Sequence, residues 1–284
     1  VKISVVTNAF NQGRFLAAAA ESVLSQTGPE VEYFIVEPGS TDETPRVIER
    51  LGERYGDRFT LIQQHDDGPA DGLNKAFERA SGDWFIYLNA DDVFLPGAFE
   101  EAALAIARHP RAGAIIGNGY LVDEHGRYLR RAISTRFSAR RFVRGTAFAL
   151  QQSTFYRAEA FRQVGGFNLD NRTSWDAEIL VDMDRAGFEL VNASGYWSLF
   201  RMQPDSITVS QRSAAESART HARYFREEFG RDATRVDAVI RRTAQLGHRI
   251  LHPINTYRRL ADAMAPRDHV FTEAQPPGWA ELGA

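Results

Sequence analysis

The chain has 284 residues, 43% of them hydrophobic and 25% charged, with a net charge of −3 and no cysteine. That length holds one large α/β domain, or one with a helical appendage, and the composition is that of a globular protein. The charge speaks against a dedicated nucleic-acid binder, and the missing cysteine excludes disulfides and thiolate-bound zinc or iron–sulfur centres.

Residues 2–7 (KISVVT) are a short β-branched run that predicts a buried strand. The chain enters this strand without the basic and apolar regions of a signal peptide, and no apolar run approaches the roughly 20 residues that span a bilayer. A cytoplasmic location, free or at the inner face of the membrane, is the expectation. Residues 13–26 carry apolar side chains at helical spacing, and 31–36 (VEYFIV) give a second strand. Thr41 or Asp42 caps a helix reaching 54, with Pro45 in its first turn. There follow a strand at 59–63, a helix at 71–80 stopped by Gly82, a strand at 84–88, and a helix at 96–109 ended by Pro110.

This alternation predicts a mostly parallel sheet with helices on both faces. Ligands of such sheets bind beyond the carboxyl ends of the strands. The loops at 7–11, 37–42 and 89–92 are therefore expected to meet in one cleft. Further on, strands are expected at 112–116 and 120–123, and an arginine-rich loop or short helix at 134–146. A strand-like stretch at 152–155, a short helix at 158–164 broken by Gly165-Gly166, and an amphipathic helix at 175–185 follow. The last strand is 190–200, turning at Ser194-Gly195. Residues 211–265 have helical periodicity with a break at Pro253, and 266–284 read as a loosely held tail.

Asp91-Asp92, directly after an apolar strand, is the central chemical signal. Adjacent carboxylates repel, and a cation placed between them and a phosphate removes that cost. Hard oxygen ligands suit Mg²⁺ or Mn²⁺. The plain alternative is an acidic pair capping the next helix. In 37–42 (EPGSTD), the acid can accept hydrogen bonds from a ribose or base, and Gly39 allows close backbone approach. Ser40 to Asp42 open a helix whose N-terminus favours anions. Arginines 127, 130, 131, 136, 140, 141 and 144 form either a solvated face or a contact for an anionic acceptor. Walker A, G-x-S-x-G and G-x-G-x-x-G strings are absent.

Residues 4–7 (SVVT) with Asn11, 35–44 (IVEPGSTDET) and 67–92 (DGPADGLNKAFERASGDWFIYLNADD) together resemble family 2 glycosyltransferases with the GT-A fold. The strings at 152–157 (QSTFYR), 164–167 (VGGF), 175–180 (WDAEIL) and 200–207 (FRMQPDSI) extend the resemblance to about residues 2–209. It implies an α/β fold with a mostly parallel central sheet and a C-terminal helical extension. Residues 1–93 would be the nucleotide-sugar half, 94–209 the acceptor half of the same domain, 210–265 the helical extension and 266–284 a flexible tail. It also implies a metal-dependent, inverting hexosyltransferase acting in bacterial polysaccharide or glycoconjugate assembly. The donor would be a UDP-, GDP- or dTDP-sugar, the acceptor a carbohydrate or lipid-linked hydroxyl, and the cofactor Mn²⁺ or Mg²⁺.

Carried over by position, the resemblance has Thr7 and Asn11 lining the nucleotide cleft and Glu37 contacting base or ribose. Asp71 and Lys75 face the donor, Asp91 contacts ribose or metal, and Asp92 holds the metal against the diphosphate. Gln203 stands at a metal-ligand position, and Asp176 is the general base. A carboxylate in a helix's first turn is expected to stay ionised, held by backbone N–H groups and the helix dipole. Three positions depart from the family pattern: Pro38 replaces a second acid, Leu73 stands where many members carry arginine, and Gln203 where many carry histidine. These leave a second reading, an inactive nucleotide-sugar-binding or scaffold protein of the same fold. A nucleotidyltransferase would need a glycine-rich basic loop after the first strand, which residues 8–13 are not. The helices beyond 210 are expected to pack on the domain or to make a homodimer, with a membrane surface as their other use.

Overall fold

A computed structural model describes residues 1–203 and 214–251. Its first part is β1 (Lys2–Asn8), α1 (Gly13–Leu24), β2 (Glu30–Glu37), α2 (Thr44–Tyr55), β3 (Thr60–Gln63), α3 (Pro69–Arg79) and β4 (Trp84–Asn89). β1 runs parallel to β2 and β4, and β2 parallel to β3. The helices bury one stripe each. Leu16, Ala19, Ala20 and Val23 of α1 pack with Val47, Ile48 and Leu51 of α2 on one side of the sheet, and Leu73, Ala76 and Phe77 of α3 lie on the other.

α2 starts later than the sequence suggested, because Asp42 caps from outside. Its Oδ1 accepts from the Thr44 N–H at 2.9 Å and its Oδ2 from the Gly13 N–H at 3.1 Å. One carboxylate thus holds the first turns of α1 and α2 together. Gly13 is required there, since a Cβ would lie 2.6 Å from the Thr44 nitrogen.

The second part is β5 (Val93–Phe94), α4 (Ala98–Arg108), β6 (Ala112–Val122), β7 (Tyr128–Ala132), α5 (Ala139–Val143), β8 (Thr154–Arg157), α6 (Ala158–Gln163), α7 (Trp175–Arg185) and β9 (Glu189–Arg201). Among the described residues the sheet has nine strands in the order β3-β2-β1-β4-β8-β6-β9-β5, with β7 on β6. β8 is antiparallel to both β4 and β6, whereas β6 and β9 are parallel. The expected strands at 112–116 and 120–123 are one continuous strand, and β5 and β7 are additions. The stretch at 152–155 begins as a 3-10 turn, Gln151–Ser153, before β8.

Ser194-Gly195 is a bulge inside β9, not a turn. Ile116 faces Asn192, but Asn118 faces Tyr196. The bulge takes carbonyls out of the ladder, and the Asn118 amide supplies donors to Ala193, Ser194 and Gly195 at 3.4, 3.1 and 3.2 Å.

Two further helices follow, α8 (Ala214–Phe229) and α9 (Arg235–Leu251). α8 packs on the second half of the sheet domain. Tyr224 and Phe225 are buried with Val143, while Arg140 and Arg144 lie over the Phe229 ring at 5.6 and 5.5 Å. No helix among the described residues is long and apolar enough to cross a membrane. The Pro253 break, the 266–284 tail and positions 204–207 of the last string lie outside the described residues.

Candidate functional site

The strand order reverses between β1 and β4, where open α/β sheets form a ligand crevice. A cavity of about 500 Å³ opens there, with Asn8, Asn89, Asp91, Gln152, Trp175 and Asp176 in its wall. Asn8 and Asn89 end β1 and β4 and are register partners.

The two aspartates part company at this point. α4 begins at Ala98, so neither caps it. Asp91 is half-buried in the cavity wall, and its Oδ2 accepts from the Gln203 side-chain amide at 2.5 Å. Asp92 is 1% exposed. Its Oδ1 accepts from the Arg201 backbone N–H at 2.8 Å, and its Oδ2 from Gln152 Nε2 at 2.8 Å and Asn89 Nδ2 at 3.1 Å. Arg201 is itself buried, donating from Nε to the Asp91 carbonyl at 2.9 Å and lying 4.9 Å from the Phe15 ring centroid. Burial and then the neighbouring Asp91 charge push the Asp92 carboxyl well above the usual range. Burial raises Asp91 too, against the pull of the Gln203 amide and of Arg201.

Among the described residues no group of three His, Cys, Asp or Glu side chains could hold a metal. The donor set is one exposed-side carboxylate, Asp91, with the Gln203 amide against it. That fits an ion such as Mg²⁺ or Mn²⁺, which takes one or two carboxylates and completes its shell with substrate phosphate and water.

On the β1 side the structure corrects one expectation. Thr7 does not line the cavity; it is fully buried, and its Oγ1 accepts from the Tyr33 hydroxyl at 3.0 Å. Strand alternation turns Asn8 to the crevice instead. Asn11, at φ +51°, ties two loops together, accepting the Thr41 N–H on its Oδ1 at 2.8 Å and donating its own N–H to Ser40 Oγ at 2.9 Å. Glu37 is buried and folds back on its own loop, with Oε1 accepting from the N–H groups of Gly39, at 2.9 Å, and Ser40. Asp71 accepts from Lys75 Nζ at 2.7 Å, which holds its carboxyl below the usual range. Lys75 also donates to the His65 carbonyl.

Asp176 stands at the start of α7, half-buried in the cavity wall. Here the helix terminus is outweighed. Burial raises the carboxyl above its usual value, although the backbone N–H groups of Ala177 and Asp176 draw it back. The expected depression is reversed because the side chain faces an apolar wall that hydrates it poorly. Glu178, two residues on, is buried and committed to structure. It accepts from Asn168 at 3.0 Å, Asn171 at 2.6 Å and Arg223 at 2.5 Å.

The residues that sequence reasoning left without a role are Asn8, Asn89, Gln152 and Arg201. Asn89 and Gln152 stood inside quoted strings, but nothing in a string says which buried acid an amide serves.

Residues 4–165 match the family model described as Glycosyl transferase family 2. The putative glycosyltransferase EpsE of Bacillus subtilis (strain 168) is 29% identical over 216 residues, 75% of this chain and 76% of that one. The PGL/p-HBAD biosynthesis glycosyltransferase of Mycobacterium tuberculosis (strain ATCC 25177 / H37Ra) is 26% identical over 179 residues, 62% of this chain and 68% of that one. Among solved structures, S. aureus TarS 1–349 in complex with UDP-GlcNAc superposes with a TM-score of 0.65 at 17% identity, covering 88% of this chain and 72% of that one. Mannosyltransferase PcManGT from Pyrobaculum calidifontis, in complex with GDP-Man and Mn²⁺, gives 0.62 at 17% identity, covering 99% and 78%. The fold is GT-A, as the sequence led us to expect.

Proposed function

The chain belongs to glycosyl transferase family 2, and on that premise we propose that it moves a sugar from a nucleoside-diphosphate donor to an acceptor hydroxyl with inversion at the anomeric carbon. The observation that carries this reading is the placing of Asp91 and Asp176 in the wall of one cavity at the β1–β4 crevice. TarS with UDP-GlcNAc and PcManGT with GDP-Man and Mn²⁺ support a nucleotide-sugar donor and a divalent ion. The likeness to the putative glycosyltransferase EpsE and to a PGL/p-HBAD biosynthesis glycosyltransferase supports glycosyl transfer in a bacterial biosynthetic pathway.

We assign the roles of the acidic pair differently from the positional carry-over. Asp91 would hold Mn²⁺ or Mg²⁺, with Gln203 beside it; an amide's oxygen and nitrogen exchange by a simple flip, so its oxygen can face an ion. Asp92 positions, since its oxygens are already taken by Arg201, Gln152 and Asn89. When bound, the ion supplies positive charge that offsets the diphosphate as it leaves. Asn8 and Asn89 offer amides to the donor, and Asp71 with Lys75 braces the loop beside it. Asp176 takes the proton of the acceptor hydroxyl as that oxygen attacks the anomeric carbon. Its raised carboxyl suits a base working near neutral pH.

Nucleotide binding and transfer are tested separately. UDP-GlcNAc, GDP-mannose and dTDP-glucose are screened by thermal shift with and without Mn²⁺, where a ligand at a hundred times its Kd stabilises by about 2.7 kcal/mol. If none shifts the melt with the ion present, the donor reading fails. For a donor that does, proton NMR of the product's anomeric centre reads the stereochemistry, and a retained configuration removes the single-displacement mechanism with Asp176 as base.

A further inference from the structure

We propose that the acceptor carries an apolar group beside the hydroxyl it offers, and that this group enters a second chamber on the far side of Asp176. The inference rests on Asp176 being the base.

The chamber holds about 250 Å³ and is lined by Phe137, Phe142, Ala147, Phe148, Tyr156 and Leu180. It shares Phe148, Ala149, Gln151, Thr173 and Asp176 with the donor cavity, so Asp176 stands where the two spaces meet. A hydroxyl presented to Asp176 therefore places its neighbouring atoms in the chamber.

The wall decides what those atoms are. Most of its polar side chains are turned to the protein. Gln151 Nε2 donates to the Tyr87 carbonyl at 2.7 Å, Thr154 Oγ1 to the Leu150 carbonyl at 2.7 Å, and Thr173 Oγ1 to Asn171 Oδ1 at 3.4 Å. An unsubstituted sugar ring brings hydroxyls on nearly every carbon, and each would lose water without gaining a partner there. An alkyl or aryl group loses nothing and gains contact with the phenylalanines.

One polar atom stands apart. The Tyr156 hydroxyl belongs to a fully buried residue of the chamber wall and has no hydrogen-bond partner among the described residues. Buried hydroxyls are seldom left so, and a small shift of the wall on binding would let it donate to an ether or carbonyl oxygen of a ligand. An apolar acceptor group joined through one such oxygen would satisfy both the ring-lined wall and Tyr156.

The test uses binding alone, so it does not depend on knowing the donor. Calorimetry on the full chain compares phenyl β-D-glucoside with methyl β-D-glucoside. We expect the phenyl compound to bind at least about tenfold more tightly, equivalent to 1.4 kcal/mol. Ala147→Phe, which fills the chamber, should erase the difference. In the wild type, NOEs should connect the phenyl protons with the rings of Phe137 and Phe142, a reading available even if Ala147→Phe does not fold. Equal affinities, a preference that survives Ala147→Phe, or NOEs to the exposed Phe10 alone would each overturn the proposal. A phenyl preference in a protein that transfers no sugar would unseat the enzymatic reading and leave the chamber standing; sugar transfer with no such preference would do the reverse.

Discussion

Asp91 and Asp92 are chain neighbours that face opposite sides of one wall. Asp91 meets the Gln203 amide at 2.5 Å on the cavity side, and Asp92 meets the Arg201 backbone N–H at 2.8 Å behind it. Substitution should therefore separate them. Asp91→Ala is expected to abolish the Mn²⁺ dependence of nucleotide binding in calorimetry while leaving the melting temperature close to wild type. Asp92→Ala removes the acceptor for Gln152, Asn89 and Arg201 in a buried place. It should lower stability by at least about 3 kcal/mol, since each of the three buried donors left without an acceptor costs about 1–3 kcal/mol. If Asp92→Ala melts like the wild type and binds nucleotide without the ion, the assignment is the wrong way round.

If the ion binds at Asp91 as proposed, the neighbouring Gln203 should set its grip. An amide oxygen is a weaker ligand than imidazole for Mn²⁺. Gln203→His should lower the Mn²⁺ concentration for half-maximal nucleotide binding by roughly tenfold, about 1.4 kcal/mol. Gln203→Ala should raise it. Unchanged titrations in both variants would take Gln203 out of the ion's surroundings.

Asp176→Asn should reduce kcat by about 100-fold or more, the usual worth of a general base. The stability effect has the opposite sense. The carboxyl is raised in the fold, so the folded state binds protons more tightly than the unfolded chain. Its stability contribution is present below the unfolded value of about 3.9 and is lost as pH rises through the folded value. Relative to wild type, Asp176→Asn should thus gain stability as pH rises from about 4 through the folded value and level off above it. In the wild type the acid limb of kcat/KM should lie above the ordinary aspartate range. An inactive variant that is less stable at pH 7 than at pH 4, relative to wild type, would contradict this.

α8 should count toward the stability of the second part of the fold, on which it packs. Tyr224 is 1% exposed, and its hydroxyl accepts from Asn171 Nδ2 at 3.2 Å. Tyr224→Ala is expected to cost about 3 kcal/mol, as for other buried aromatic truncations. Val236→Ala, on an exposed face of α9, should cost less than about 0.5 kcal/mol. Equal melting temperatures for the two would mean α8 adds no packing.

The first half of the sheet was legible because its strands are short apolar runs and its helices carry one apolar stripe. Those signals are local. β5 and β7 were not legible: Val93–Phe94 is too short to show a period, and Tyr128–Ala132 carries two arginines in its five residues and pairs on an edge. The bulge at Ser194-Gly195 reads as a turn because the residue that holds it, Asn118, is 75 or more positions away. At the site, the sequence singled out the adjacent acids but not the direction each faces. Two adjacent aspartates alternate in orientation, and what selects Asp92 for burial is donors from β9 and from the turn before β8. Thr7 was misplaced by the same single-residue alternation. The depression expected of Asp176 followed from the helix end, which is local, and was reversed by burial, which is not.

β8 lies antiparallel between β4 and β6, so one hydrogen-bonded sheet joins the first and second parts of the fold. No hinge interrupts it among the described residues. Opening and closing the two halves like a jaw would mean tearing backbone hydrogen bonds in the middle of a sheet. Asp91, just beyond β4, and Asp176, at the start of α7, line the same cavity beside this sheet. Movement that opens either space falls to loops, and the ones carrying Phe148, Ala149 and Thr173 line both cavities beside Asp176.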